Sequence, residues 1–171
     1  TGSNSVMLSS DVITQFRDRG DEVRVYPLNY REFCDFKKSE DHWNEYVRYG
    51  GLPLTVLKTN DEDKEKYLES LFNETYLMDV IERNKIRLDK EVLDDILNII
   101  ASSIGSLINS TKLSKTLKSV YNITTAPYTI TKYLNYLIEA FILNKSYRYN
   151  VKGKQYFDTP LKYYFTDIGL R

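Results

Sequence analysis

Apolar positions recur along the 171 residues with two different periods, and the switch between them divides the chain. Ser9-Ser10-Asp11 followed by Val12, Ile13 and Phe16 reads as a capped amphipathic helix that stops at Gly20. Glu22-Val23-Arg24-Val25-Tyr26 alternates polar and apolar side chains and ends at Pro27, the pattern of a short strand. The opening TGSNSVMLSS reads as the end of a buried strand, so the first 30 residues predict strand, helix, strand. From Tyr30 onward the spacing turns helical. Short helices are expected over 30–36 and 42–49, the second closed by Gly50-Gly51-Leu52-Pro53, where two glycines permit a sharp reversal. A long helix is expected over 61–86, with Tyr67, Leu68, Leu71, Phe72, Tyr76 and Val80 at helical spacing. Its first turn holds Asp61, Glu62 and Asp63, favourable against the positive end of the helix dipole. Another helix is expected over 90–104, burying Val92, Leu93, Ile96, Ile99 and Ile100, with Gly105 to close it.

The last third has its own rhythm. Ser110 is expected to cap a helix over 111–120, and Thr125 a longer one with Pro127 in its first turn, where proline is tolerated. Ile130, Leu134, Leu137, Ile138 and Phe141 form the apolar stripe of the second. Strand-like segments at 145–149, 155–157 and 162–166 flank a turn at 151–154. Helix, turn, longer helix and a tyrosine-rich hairpin is the order of a winged helix. The expected fold is therefore mostly α with a small β content: the tail of an α/β core over 1–30, a helical lid and linker helices over 31–104, and a winged helix over 105–171.

Composition narrows the function classes. A hydrophobic content of 42% with 28% charged residues belongs to a folded globular protein. The longest apolar run is only a few residues, too short to span a bilayer. The single Cys34 excludes an internal disulfide and suits a reducing, cytoplasmic compartment. Cys34 and the single His42 fall short of the four ligands of a zinc site. His42 sits in a charged helix start and Asp94-Asp95 on exposed helical turns, so neither a Ser-His-Asp set nor a carboxylate metal site is expected. Charge is unevenly spread although the net is zero: residues 1–101 carry 14 Lys/Arg against 21 Asp/Glu (−7), and residues 102–171 carry 10 against 3 (+7). That split predicts two modules with different neighbours, the basic half meeting either nucleic acid or the acidic half.

The segments TGSNSVMLS, PLNYREF, YGGLP, YLMDVIERN and RYNVKGKQYFDTPLKYYFTDIGLR, taken in order, resemble a prokaryotic AAA-type ATPase family that joins an ATPase core to a C-terminal region of unassigned function. The resemblance covers essentially the whole chain, from the sensor strand to the winged helix. It implies an intact protein that uses ATP and magnesium, with a phosphate-binding half before Thr1 and a nuclease-like domain after Arg171. No G-x-x-x-x-G-K-[ST] motif occurs here, so this chain alone is expected neither to bind ATP tightly nor to hydrolyse it. The start at Thr1 and the end just past Ile168-Gly169-Leu170 read as cuts through a longer protein.

The resemblance places Asn4, beside Ser3, at the sensor position, where a polar side chain orients the water attacking the γ-phosphate. The alternative is that Ser3-Asn4-Ser5 caps the helix that follows. It places Arg19 near a neighbouring phosphate; the alternative is a solvated cation at a helix C-terminus. Gly50, Gly51 and Pro53 are read as serving backbone geometry. In the basic half, Tyr128, Thr129, Lys132 and Asn135 lie off the apolar stripe and Lys145, Arg148, Lys152 and Lys154 line the expected wing. Lys132, Lys145, Arg148, Lys152 and Lys154 are the candidate phosphate contacts for DNA. One lysine and no arginine on the recognition helix point to binding without sequence preference. The hairpin tyrosines are read as sheet packing. A protein contact or self-association is the other use of such a module.

Overall fold

The computed structural model describes residues 23–39, 41–84, 90–147 and 161–171. They fall into two units. The first gathers the described residues up to Asp79 together with 139–142 and 165–171, and the second those within 80–138 and 143–164.

In the first unit, α1 (Tyr30–Lys37) begins at a reciprocal cap. Asn29 Oδ1 accepts from the Glu32 amide at 3.1 Å and Glu32 Oε2 accepts from the Asn29 amide at 2.8 Å. The helix buries Phe33 and Cys34 and ends at Lys38, in the left-handed region at φ 56°. Next, α2 (Trp43–Tyr49) lays Tyr46 against Tyr30 and Phe33 and ends at Gly50. The reversal at Gly50-Gly51 then feeds a helix the residue pattern did not predict, α3 (Pro53–Leu57), with Pro53 in its first turn.

Asn60 caps α4 (Asp61–Ser70), its side chain accepting from the Glu62 amide. The single helix expected over 61–86 is interrupted: a π-helical stretch, Leu71–Leu77, separates α4 from α5 (Met78–Arg83). Leu68, Phe72, Tyr76 and Val80 recur every fourth residue, wider than the 3.6 of an α-helix, and wider i→i+5 turns suit that spacing. The strand expected over 22–26 is also corrected. Residues 23–29 have no regular structure, and Val23 and Val25 are 82% and 91% exposed. Alternation alone favours a strand only where a neighbouring strand satisfies the backbone.

In the second unit, α6 (Lys90–Ser102) buries Val92, Leu93, Ile96 and Ile100 as expected, but Leu97 is buried in place of the expected Ile99, which is half-buried. Gly105 follows at φ 79°. Ile108 forms an isolated antiparallel bridge with Leu161, through amide-to-carbonyl bonds of 2.8 and 2.9 Å. Then come α7 (Ser110–Tyr121), α8 (Pro127–Glu139), β1 (Leu143–Ser146) and β2 (Lys162–Phe165), the strands pairing in a two-stranded sheet. Asn109, not Ser110, caps α7: its side chain accepts from the Lys112 amide at 2.7 Å. Thr125 is buried and its Oγ1 has no hydrogen-bond partner among the described residues, so it does not cap α8, which starts two residues later. The stripe on α8 is as expected at Ile130, Leu134 and Leu137, all buried, while β1 starts at Leu143 rather than 145. Asp94 and Asp95 are half-buried rather than exposed, and burial pushes both carboxyls up. Among the described residues the chain is thus mostly helical with one small two-stranded sheet, and no helix there is long and apolar enough to cross a membrane.

Candidate functional site

The candidate contacts on α8 and β1 begin from helix geometry. Burying Ile130, Leu134 and Leu137 turns the opposite side of α8 outward, so Tyr128, Lys132 and Asn135 are exposed and Thr129 is half-buried. Lys132 Nζ stands 4.9 Å from the centroid of the Tyr128 ring. Lys145 is exposed on β1, its Nζ 5.5 Å from the centroid of Tyr147. Residue reasoning missed a third source of charge: Lys112, Lys115 and Lys118 are exposed on α7. Their spacing of three, which keeps side chains on one broad side of a helix, was the available signal. From 103 to 138 the chain carries four lysines and no acidic residue, a local excess of positive charge that favours anions. Of the hairpin tyrosines, Tyr163 is buried as expected, but Tyr147 and Tyr164 are exposed. Ser3, Asn4, Arg19, Arg148, Lys152 and Lys154 lie outside the described residues.

In the first unit, three of the sequence segments noted above meet at one carboxylate. Asp167, buried at the head of a 3-10 turn (Ile168–Leu170), accepts from the Gly51 amide through Oδ2 and from the Gly169 amide through Oδ1, both at 2.8 Å. Burial raises its pKa, opposed by those two amides. Gly51 O in turn accepts from the Leu28 amide at 2.9 Å, and Leu28 O accepts from the Tyr46 hydroxyl at 3.2 Å. A Cβ at Gly51 would lie 2.0 Å from Leu28 O, and one at Gly169 2.3 Å from Tyr49 O. Glycine is needed because backbones touch. Leu170 completes the joint by packing with Tyr49 and Leu68.

Beside it lies an ion cluster. Lys64, only 3% exposed, donates to Glu45 Oε1 at 2.8 Å and Asp61 Oδ1 at 3.0 Å, while Lys37 reaches the same Glu45 oxygen at 3.0 Å. His42 Nδ1 stands 3.1 Å from Glu45 Oε2. Burial pushes the Glu45 carboxyl up, but the bonds from Lys64 and Lys37 outweigh it and hold it below the ordinary value of 4.5. A depressed carboxylate contributes stability above its unfolded pKa and loses it as pH falls. Glu45→Gln should therefore lower stability by roughly 1 kcal/mol at neutral pH, partial exposure screening the charges, and the difference should shrink as acidification protonates Glu45 in the folded protein. Urea midpoints from neutral to acid pH check this; a deficit that stays constant with pH would contradict it. Among the described residues, no grouping of His, Cys, Asp and Glu could hold a metal ion.

Residues 40–171, from just before α2 to the last residue, match the model of a family described as a domain of unknown function, DUF8612. The chain belongs to this family. It is similar to an uncharacterized protein of Haemophilus influenzae, 34% identical over all of this chain and 44% of that protein. It is also similar to an uncharacterized protein of Methanocaldococcus jannaschii, 29% identical over 90% of this chain and 38% of that protein. The chain thus spans less than half the length of these relatives. No solved structure matches it.

Proposed function

We propose that the second unit is a winged helix that binds duplex nucleic acid through its phosphates, without sequence preference. One observation carries this reading: α6, the Ile108 bridge, α7, α8, β1 and β2 follow in winged-helix order, with lysines exposed on α7, α8 and β1. The exposed side of α8 offers one lysine and one asparagine, too few for base readout, so phosphate contact dominates.

In the same proposal, the chain is the C-terminal part of an AAA-type ATPase, and the winged helix is coupled to nucleotide state in the intact protein. The support is the ordered resemblance of its segments, together with the relatives' length, which leaves room for a nucleotide-binding half. ATP and magnesium would bind in that half. Asn4 with Ser3 would serve as sensor and Arg19 as the cation near a phosphate. A nuclease-like domain and further copies of the protein are the other partners this reading implies.

Lys132→Ala combined with Lys145→Ala should weaken binding to two unrelated duplexes by a similar factor and flatten the salt dependence by up to about two logarithmic units. Fluorescence anisotropy on both duplexes at several salt concentrations measures it. A loss confined to one duplex would mean base readout and would defeat the phosphate reading.

A further inference from the structure

Two tyrosines of the basic unit are not placed as packing residues, unlike the buried Tyr133 and Tyr163. Tyr128 is 70% exposed at the start of α8, and Tyr147 is 52% exposed just after β1. Each has a lysine ammonium beside its ring: Lys132 at 4.9 Å from the Tyr128 centroid and Lys145 at 5.5 Å from that of Tyr147. An ammonium at that distance is attracted to the ring face, which holds the pair together without burying it. The same arrangement occurs twice, on a helix and next to a strand, on a surface whose charge attracts nucleic acid.

An aromatic ring open to solvent beside a fixed cation is how single strands are held: the base stacks on the ring while the cation meets the adjoining phosphate. Bases within an intact duplex are already stacked on their neighbours and cannot use such a ring. We propose that Tyr128, paired with Lys132, stacks an unpaired base, so that the module prefers a junction of duplex and single strand over uninterrupted duplex. Tyr147 with Lys145 provides a second platform of the same kind. This inference rests on the nucleic-acid reading above and adds a preference for nucleic-acid structure to it.

The test uses the 171-residue chain and three labelled DNA probes: a blunt duplex, the same duplex with a short 3′ overhang, and that overhang made abasic. The base-bearing overhang should bind more tightly than the abasic one, by roughly five- to a hundredfold if one base stacks. Tyr128→Ala should bring the ratio of these two affinities close to one, and Tyr128→Phe, which keeps the ring, should preserve it. Equal binding of the abasic and base-bearing overhangs by the unaltered chain would overturn the stacking proposal while leaving duplex binding intact. A ratio that persists in Tyr128→Ala would remove Tyr128 from the role. Binding to the overhang without binding to the blunt probe would support stacking and defeat the duplex reading. Failure to bind any probe would overturn both.

Discussion

Gly50→Ala is expected to destabilise the first unit by about 4 kcal/mol or more, a large share of the roughly 5–15 kcal/mol that holds an ordinary domain together. Gly50 adopts φ 73° and ψ −164°, a region that is essentially reserved for glycine and costs other residues roughly 1–3 kcal/mol. Its added Cβ would fall 1.7 Å from Asp167 Oδ1 and 2.7 Å from the Gly169 amide nitrogen. The carboxylate must then leave, breaking its bonds to Gly51 and Gly169, each worth about 1.5–3 kcal/mol as bonds to a charged group. Gly105 is the internal control. It also has positive φ, 79°, but a Cβ there meets nothing within 4 Å, so Gly105→Ala should cost only about 1 kcal/mol. Urea unfolding of the two variants separates steric clash from backbone strain. Equal losses would mean that the Asp167 joint contributes little.

Leu137→Ala should cost roughly 2–5 kcal/mol in the second unit. Leu137 is fully buried in α8, as are Ile130 and, nearly so, Leu134, and truncation removes apolar contacts and leaves a cavity. Asn135→Ala, two residues away on the exposed side, should change stability by less than about 0.5 kcal/mol. Thermal melts rank them. The reverse order would mean that α8 presents another face to the core.

The α8 stripe was legible because Ile130, Leu134 and Leu137 follow helical periodicity and nothing distant alters which side they bury. The extended pattern at 23–26 was legible only as a local preference, since a strand needs a partner that alternation does not specify. Gly50-Gly51 was correctly read as serving backbone geometry. The reason for it was hidden, because the carboxylate that meets Gly51 lies 116 residues away. Asp167 itself carries no local mark of burial: it sits between Thr166 and Ile168 in a segment that reads as the end of a strand. In the basic half, Lys132 and Lys145 are exposed as expected, while Lys112, Lys115 and Lys118 are exposed on α7, the shorter helix, to which the expected docking role assigns no contact.

The salt dependence of duplex binding tests the central claim most directly. Each phosphate neutralised contributes about 0.9 to the slope of log affinity against log salt. Five contacts, from Lys132, Lys145, Arg148, Lys152 and Lys154, predict a slope of about −4 to −5, the same for two duplexes of unrelated sequence. Contacts from Lys112, Lys115 or Lys118 would steepen it. Anisotropy titrations at four or more salt concentrations, roughly 30 to 300 mM, span the Debye lengths over which such contacts weaken. A common slope near that value is the result the winged-helix reading predicts. A slope near zero, or no binding at the lowest salt, would contradict it and leave the basic surface to a protein partner.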